Sequence, residues 1–333
     1  MRTGRFTEVV WKKNIGKVLH IDREAQPVFS MHTSAMTARS CVSGSSVTAL
    51  RSAVFSALND LAVRGYRAQE VELYILLPPG AEEMFLRAMA EETAEICETA
   101  GIGQIIMDGE LNPVVRLPVI FVEAVGEAVF DKTAEPSANQ AEEKAGTKES
   151  GAGQTILLLG SAGLDGALQL LDEKRGELSK RFVPTFLKQA EALERELYAA
   201  PWIELARATG AGAMRQIKGG GILAALWELA EEAKLGFEIE MSGIGIAQET
   251  VEICEYFRLN PYQMSSVGSV LMLTRNPDRL LAALRGAGAR AGKLGITTEA
   301  RARVILGQSE RRYLDRPAPD ELLLWREREL LDK

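Results

Sequence analysis

Apolar positions along this chain of 333 residues alternate between two periods. The stretch "SSVTALRSAVFSALNDLAVRG", Ser45 to Gly65, repeats them at helical spacing, with Ser45 or Ser46 as a cap and Gly65 as a stop. "VELYILLPPG" follows as a β-rich run ended by Pro78, Pro79 and Gly80. "AEEMFLRAMAEETAEICETAG" predicts a second amphipathic helix that stops at Gly101, and "QIIMDG" and "LPVIFVEAVG" predict two more strands. Helices and strands in this alternation predict an α/β or α+β domain whose helices cover a sheet.

The pattern lapses over "DKTAEPSANQAEEKAGTKESGAG", residues 131–153. This stretch is polar and nearly free of large apolar residues. It cannot bury enough surface to offset its ordering entropy, so a mobile linker is expected there. Two domains, 1–130 and 154–333, are expected on either side. The second opens with "TILLLG", a buried strand, and continues with "SAGLDGALQLLDEK". "VPTFLKQAEALERELYAA" predicts one long amphipathic helix. A further helix is expected from about Ile222 to Ala233. "GFEIEMS" reads as a strand, "AQETVEICEYFRL" as a helix, "SVLMLTRN" as a strand and "PDRLLAALRGAG" as a helix opening at Pro277. No fixed-period repeat is present.

Composition narrows the function classes. A formal net charge of −7 argues against a broad nucleic-acid surface. No apolar run approaches the roughly 20 residues of a membrane span, and the first residues lack a signal-peptide core. The cysteines Cys41, Cys97 and Cys254 are isolated. They form no disulfide framework, so a reducing, cytoplasmic setting is expected. With His20 and His32 as the only histidines, a His-rich metal site or a catalytic triad has little to draw on.

Several short motifs raise chemical questions. "IKGGG" opens a helix with Gly219, Gly220 and Gly221. A helix N-terminus can hold a phosphate, but the lysine precedes the glycines and no Ser/Thr follows, so this is no Walker A loop. "GSAGLDG", Gly160 to Gly166, lies between a strand and a helix without the G-x-G-x-x-G spacing of a dinucleotide loop. For both, a close-packed turn is the default. Asn59 and Asp60 interrupt an apolar helical face. Asp60 there needs a partner, a metal or a helix end, unless it lies on the solvent side. Asp108 and Glu110, in "IIMDGEL", end a strand where carboxylates can hold Mg²⁺ beside phosphates, or simply form a turn. Glu228 is either a buried hydrogen-bonding carboxylate or the edge of a polar face.

Taken in order, these pieces resemble the AIR synthase (PurM) superfamily, and within it the HypE family of hydrogenase-maturation proteins. "ALNDLAVRGYRAQEVELYILLPPG" is similar to that superfamily's Asn-Asp-Leu-Ala helix and following strand. "GSAGLDGALQLL" resembles its Gly-x-x-Gly-x-His-Gly turn. "AMRQIKGGGILAALWELAEEAKLGFEIE" resembles its Met-Arg-Asp-x-Thr-x-Gly-Gly-Leu segment, and "YLDRPAPDEL" its closing Pro-x-x-Asp-Glu-Leu.

The resemblance implies a two-domain PurM-like fold, with a dimerising N-terminal sheet domain and a C-terminal α+β domain with a mixed sheet. It implies a homodimer, a hydrogenase-maturation-type protein partner, and Mg²⁺–ATP bound in a cleft between domains. Asn59, Asp60, Gly219, Gly220 and Gly221 are then the expected nucleotide residues, and Asp60, Asp108 and Glu110 the expected metal set. The departures imply that ATP-dependent catalysis is reduced or lost. Gln216 stands where the superfamily has Asp, Lys218 where it has Thr, Val267 in its Asn-Glu-Gly, and Asp165 where it has His. Its Gly-Asp-Thr becomes Asp108-Gly109-Glu110. "SMHTSAMTARSCVSGSS" replaces an Asp-rich segment, and "ERELLDK" stands where HypE ends in Pro-Arg-Ile-Cys. The alternative is an active ATP- and Mg²⁺-dependent enzyme that phosphorylates a small substrate.

Overall fold

The computed structural model describes residues 4–22, 35–129, 151–307 and 310–331. Most of the expected linker, and the Ser/Thr/Met-rich stretch up to residue 34, lie outside the described residues. The chain forms two compact units. The first takes residues up to Val129 together with Gln169–Phe182; the second takes Phe130–Leu168 and everything from Val183 onward.

The first unit contains β1 (Gly4–Arg5), α1 (Glu8–Trp11), α2 (Lys17–Leu19), β2 (Met36–Ser43), α3 (Val47–Arg64), β3 (Tyr66–Leu77), α4 (Glu83–Ala100), β4 (Gln104–Leu111) and β5 (Val119–Ala128). Its sheet runs β1-β4-β3-β5-β2, with β3 parallel to β4 and the other pairs antiparallel. Alternation in the strands sorts the residues cleanly. Val71, Leu73, Ile75 and Leu77 of β3, with Ile120, Val122 and Ala124 of β5, are buried on the face that packs against α3. The other face presents Tyr74 at 39% exposure, Phe121 at 42% and Cys41. Register sets Tyr74 opposite Phe121, and Phe121 opposite Cys41, so the three form one stripe across the sheet.

The helix signals hold. The Ser46 hydroxyl caps α3 by accepting from the Ala49 N–H at 3.1 Å. Gly65 and Gly101 end α3 and α4 in the left-handed conformation, with φ of 86° and 69°. On β4, the Trp11 indole N–H donates to the Met107 carbonyl at 2.8 Å. This fixes the N-terminal segment against the strand.

The second unit is built on a seven-stranded sheet: β6 (Thr155–Leu159), β7 (Met214–Gln216), β8 (Gly236–Glu240), β9 (Val270–Thr274), β10 (Ala291–Thr298), β11 (Arg303–Leu306) and β12 (Arg311–Tyr313). Its order is β12-β11-β8-β10-β6-β9-β7, mixed through the parallel pair β8–β11. In β6 and β9 neighbouring residues are buried whichever face they point to. Both faces of these central strands are therefore covered. One core joins Ile156, Leu158, Leu271 and Leu273 to Ile222, Leu226 and Leu229 of the helix Gly221–Ala233.

One expectation fails here. The single long helix over 183–200 is broken: a helix Pro184–Glu191 gives way to a 3₁₀ turn, Ala192–Glu196, and a new helix starts at Ala200. Tertiary contact is the cause. Gly268, at φ 89°, lies so close to this turn that a Cβ on it would stand 2.2 Å from the Glu196 carbonyl oxygen. The Glu196 side chain is buried against Arg290 at 2.9 Å. Burial holds the Glu196 carboxyl above the usual range, although the Arg290 charge opposes that.

Candidate functional site

The glycine triplet lies between β7 and the helix Gly221–Ala233. Gly220 and Gly221 are left-handed, with φ of 81° and 69°, which favours glycine. A Cβ on Gly221 would stand 2.4 Å from the Tyr262 carbonyl oxygen, whereas Gly219 has no neighbour within 4 Å of that position. The donors of the turn are used within the protein. The Gly220 N–H donates to the Asp320 carboxylate at 3.0 Å, and the Gly221 N–H to the Lys218 carbonyl at 3.0 Å.

Asp320 therefore puts an anion at a helix N-terminus, where the unpaired N–H groups and the helix dipole favour one. It does more than that. The same Oδ2 accepts from the Ser265 N–H at 2.8 Å, and Oδ1 accepts from Leu322 N–H at 2.9 Å at the start of the helix Glu321–Leu331. The Ser265 hydroxyl in turn donates to the buried Asp165 at 2.6 Å. Burial is the largest influence on Asp320 and pushes its carboxyl up. The Asp165 charge adds to that, and the backbone N–H donors oppose it.

The turn Gly160–Gly166 is close-packed as well. Added Cβ atoms would stand 2.4 Å from Ser269 Oγ at Gly160 and 2.8 Å from Pro261 Cβ at Gly163. Serine hydroxyls take its N–H groups: Ser269 accepts from Ser161 at 3.0 Å, and Ser266 from Gly163 at 2.7 Å.

In the first unit, Asn59 is fully buried in α3 while Asp60 is half-buried. The α3 N-terminus also receives carboxylates of the chain. Thr48 donates to Asp172 through its hydroxyl at 3.1 Å, and the Ser45 N–H donates to Glu173 at 3.2 Å. Asp108 and Glu110 share the open face of β4, two residues apart. Arg5 on β1 is in register with Glu110 and pairs with Asp108: Nε and Nη2 donate to Oδ2 at 3.1 and 2.6 Å. The other oxygen, Oδ1, accepts from the Gly109 N–H at 2.9 Å. Glu110 accepts from the Asn112 side-chain amide at 2.9 Å. The hydrogen bonds and charge of Asp108 raise the Arg5 guanidinium above its already high pKa.

The expected metal set, Asp60, Asp108 and Glu110, is not gathered. Among the described residues no group of three or more His, Cys, Asp or Glu side chains is placed to hold a metal ion. The residues present do not fit a divalent cation at this strand end, because a guanidinium already engages one of its two carboxylates. Arg5 was not legible as a site residue, since 103 residues separate it from Asp108. Asp320 had a signal in the closing Pro-x-x-Asp-Glu-Leu. Glu228 proves to be the edge of a polar face: its side chain is 50% exposed and paired with Arg215 at 2.5 Å. Among the described residues no helix is long and apolar enough to cross a membrane.

Comparison with known proteins bears on the fold and the family. Residues 151–307 match the family described as AIR synthase related protein, C-terminal domain. A Methanocaldococcus jannaschii protein named as a hydrogenase expression/formation protein is 26% identical over 277 residues, covering 82% of this chain and 77% of that one. Carbamoyl dehydratase HypE of Rhodobacter capsulatus is 29% identical over 245 residues, covering 71% of this chain and 66% of its own length. Among solved structures, E. coli HypE, a hydrogenase maturation protein, superposes with a TM-score of 0.73 at 18% identity, covering 95% and 99% of the two chains. A HypE in complex with ATP gives 0.70 at 16% identity, covering 96% and 97%. A HypE–HypF complex gives 0.62 at 16%, covering 86% and 92%. Residues 151–307 thus carry the AIR synthase related C-terminal domain, and the chain as a whole is similar to the HypE hydrogenase-maturation proteins in sequence and shares their fold.

Proposed function

We propose that this chain is a hydrogenase-maturation-type protein that keeps the superfamily scaffold and acts as a homodimeric binding protein, with ATP-dependent catalysis reduced or lost. The observation that carries this reading is that among the described residues Asp60, Asp108 and Glu110 form no metal-binding group, and Asp108 is held by Arg5. Phosphoryl transfer depends on metal and fixed charge to stabilise the transferring phosphate. Without that set, Mg²⁺–ATP binds weakly or not at all. Gly220 and Gly221 serve the turn, and Asn59 is buried in α3, which leaves the half-buried Asp60 as the first unit's remaining nucleotide contact.

The open sheet face supports the homodimer. Tyr74 and Phe121 form an apolar stripe with charged pairs at its margins, Arg39–Glu123 among them. An apolar centre with a polar rim is how protein interfaces are built. A maturation-type protein partner is inferred from the HypE–HypF complex among the relatives, and a cytoplasmic setting from the isolated cysteines. A second reading, an active Mg²⁺–ATP enzyme acting on a small substrate, draws on the relative solved with ATP and on the half-buried Asp60.

Titration calorimetry with ATP, with and without Mg²⁺, and light scattering on the full chain test the proposal. A dimer with no saturable heat up to about 1 mM, equivalent to less than roughly 4 kcal/mol of binding, is expected. Micromolar Mg²⁺–ATP affinity that falls on Asp60→Ala would favour the second reading.

A further inference from the structure

The end of β4 offers two carboxylates on one face, and a cation already stands beside them. Arg5 lies across from Glu110 on the edge strand β1, with Asp108 on the diagonal. Neighbours across and diagonal to each other on a sheet face are within reach of long side chains. Both Nε and Nη2 of Arg5 close on one oxygen of Asp108. The other oxygen is turned to the Gly109 N–H, and Glu110 is turned to Asn112. A divalent ion bound by carboxylates needs their oxygens directed at one point. Here they are directed at three different donors, one of them positively charged.

We propose that Arg5 is a built-in cation that takes the place of a divalent metal at Asp108. The end of β4 is therefore a metal-independent site. The Arg5 side chain is 67% exposed and that of Asp108 16%. The pair accordingly keeps the carboxylate covered while the guanidinium stays open to solvent. Of its five N–H donors, two go to Asp108, and the rest suit an oxyanion, a phosphate or carboxylate, in the planar fork geometry that an ammonium lacks. This deepens the functional reading above by naming what replaces the metal.

Its test is Mn²⁺ binding to the full chain, followed by electron paramagnetic resonance with Mg²⁺ as competitor. Wild type is expected to leave Mn²⁺ free at about 1 mM. Arg5→Gln is expected to bind Mn²⁺ at least tenfold more tightly than wild type, and the double variant Arg5→Gln, Asp108→Asn to lose that gain. Arg5→Lys keeps the charge and is expected to exclude Mn²⁺ as wild type does, which separates charge from fold. Wild-type Mn²⁺ binding that Asp108→Asn abolishes would overturn the assignment, as would Arg5→Gln gaining no affinity. The two readings fail separately. Mn²⁺ held at Asp108 in a protein without ATP turnover defeats the Arg5 assignment alone, and ATP turnover with Mn²⁺ excluded from Asp108 defeats the loss of catalysis alone.

Discussion

The two units treat their sheets and their acids in opposite ways. In the second unit the central strands β6 and β9 are buried on both faces, and the key acid, Asp320, is 6% exposed among backbone N–H groups. In the first unit one sheet face is open, and its acid, Asp108, is paired with a surface arginine. A buried carboxylate met by backbone donors knits a fold together, because removing it strands those donors. A surface pair does little for stability and much to decide which ions and partners can approach. The second unit therefore carries the acid that holds the fold together, and the first carries the acid on which the proposed loss of catalysis turns.

The sharpest break of this contrast lies inside the glycine triplet. Gly221→Ala must adopt φ near 69° with its methyl on the Tyr262 carbonyl. It is expected to cost about 4 kcal/mol in urea unfolding, from strain and overpacking together. Gly219→Ala is expected to cost under about 0.5 kcal/mol. Equal costs would mean that the triplet is not held by packing.

Asp320→Ala comes next, at about 3 kcal/mol, since the N–H groups of Gly220, Ser265 and Leu322 lose their acceptor. The sign of its pH dependence follows from burial. An acid whose pKa is raised in the folded state binds its proton more tightly there than in the unfolded chain. Stability conferred by that proton is present at low pH and is lost as pH rises from the ordinary carboxylate range through the raised value. Denaturant midpoints of wild type relative to Asp320→Asn are expected to fall across that window. A rise would contradict the burial-dominated environment.

In the first unit the expected effects concern association. Phe121→Asp places a charge in the apolar stripe and is expected to weaken self-association about 100-fold, or roughly 2.7 kcal/mol. The unfolding midpoint of the isolated monomer should scarcely move, because Phe121 faces solvent. Light scattering over a dilution series measures this. The smallest effect is chemical. Burial raises all three thiols, Cys97 and Cys254 up to about 12, and Cys41, on the same face, is the exposed one. At pH 8 iodoacetamide is expected to label Cys41 first, more slowly in wild type than in Phe121→Asp.

Local signals made much of the fold legible. Ser46, Gly65 and Gly101 mark helix ends through cap chemistry that acts within a few residues, and Val71 to Leu77 alternate as a half-buried strand must. The pattern misled where distant parts of the chain intervene. The run 183–200 is helical by periodicity and broken by the approach of Gly268. The strand β10 was missed because Gly292 and Gly295 dilute its pattern, yet a Cβ at Gly295 would stand 1.9 Å from the Glu238 carbonyl oxygen. The site was legible only in part. Asp108 and Glu110 could be marked as strand-end acids, but a pairing across 103 residues leaves no trace in local sequence.

The central claim is that the scaffold persists while the ATP-dependent chemistry is reduced. Steady-state release of phosphate from Mg²⁺–ATP, measured for wild type beside Asp60→Ala and Asp108→Asn, tests it most directly. The account predicts that all three proteins release phosphate at the same background rate. Wild-type turnover that falls by about 100-fold, roughly 2.7 kcal/mol of transition-state stabilisation, in either variant would contradict it.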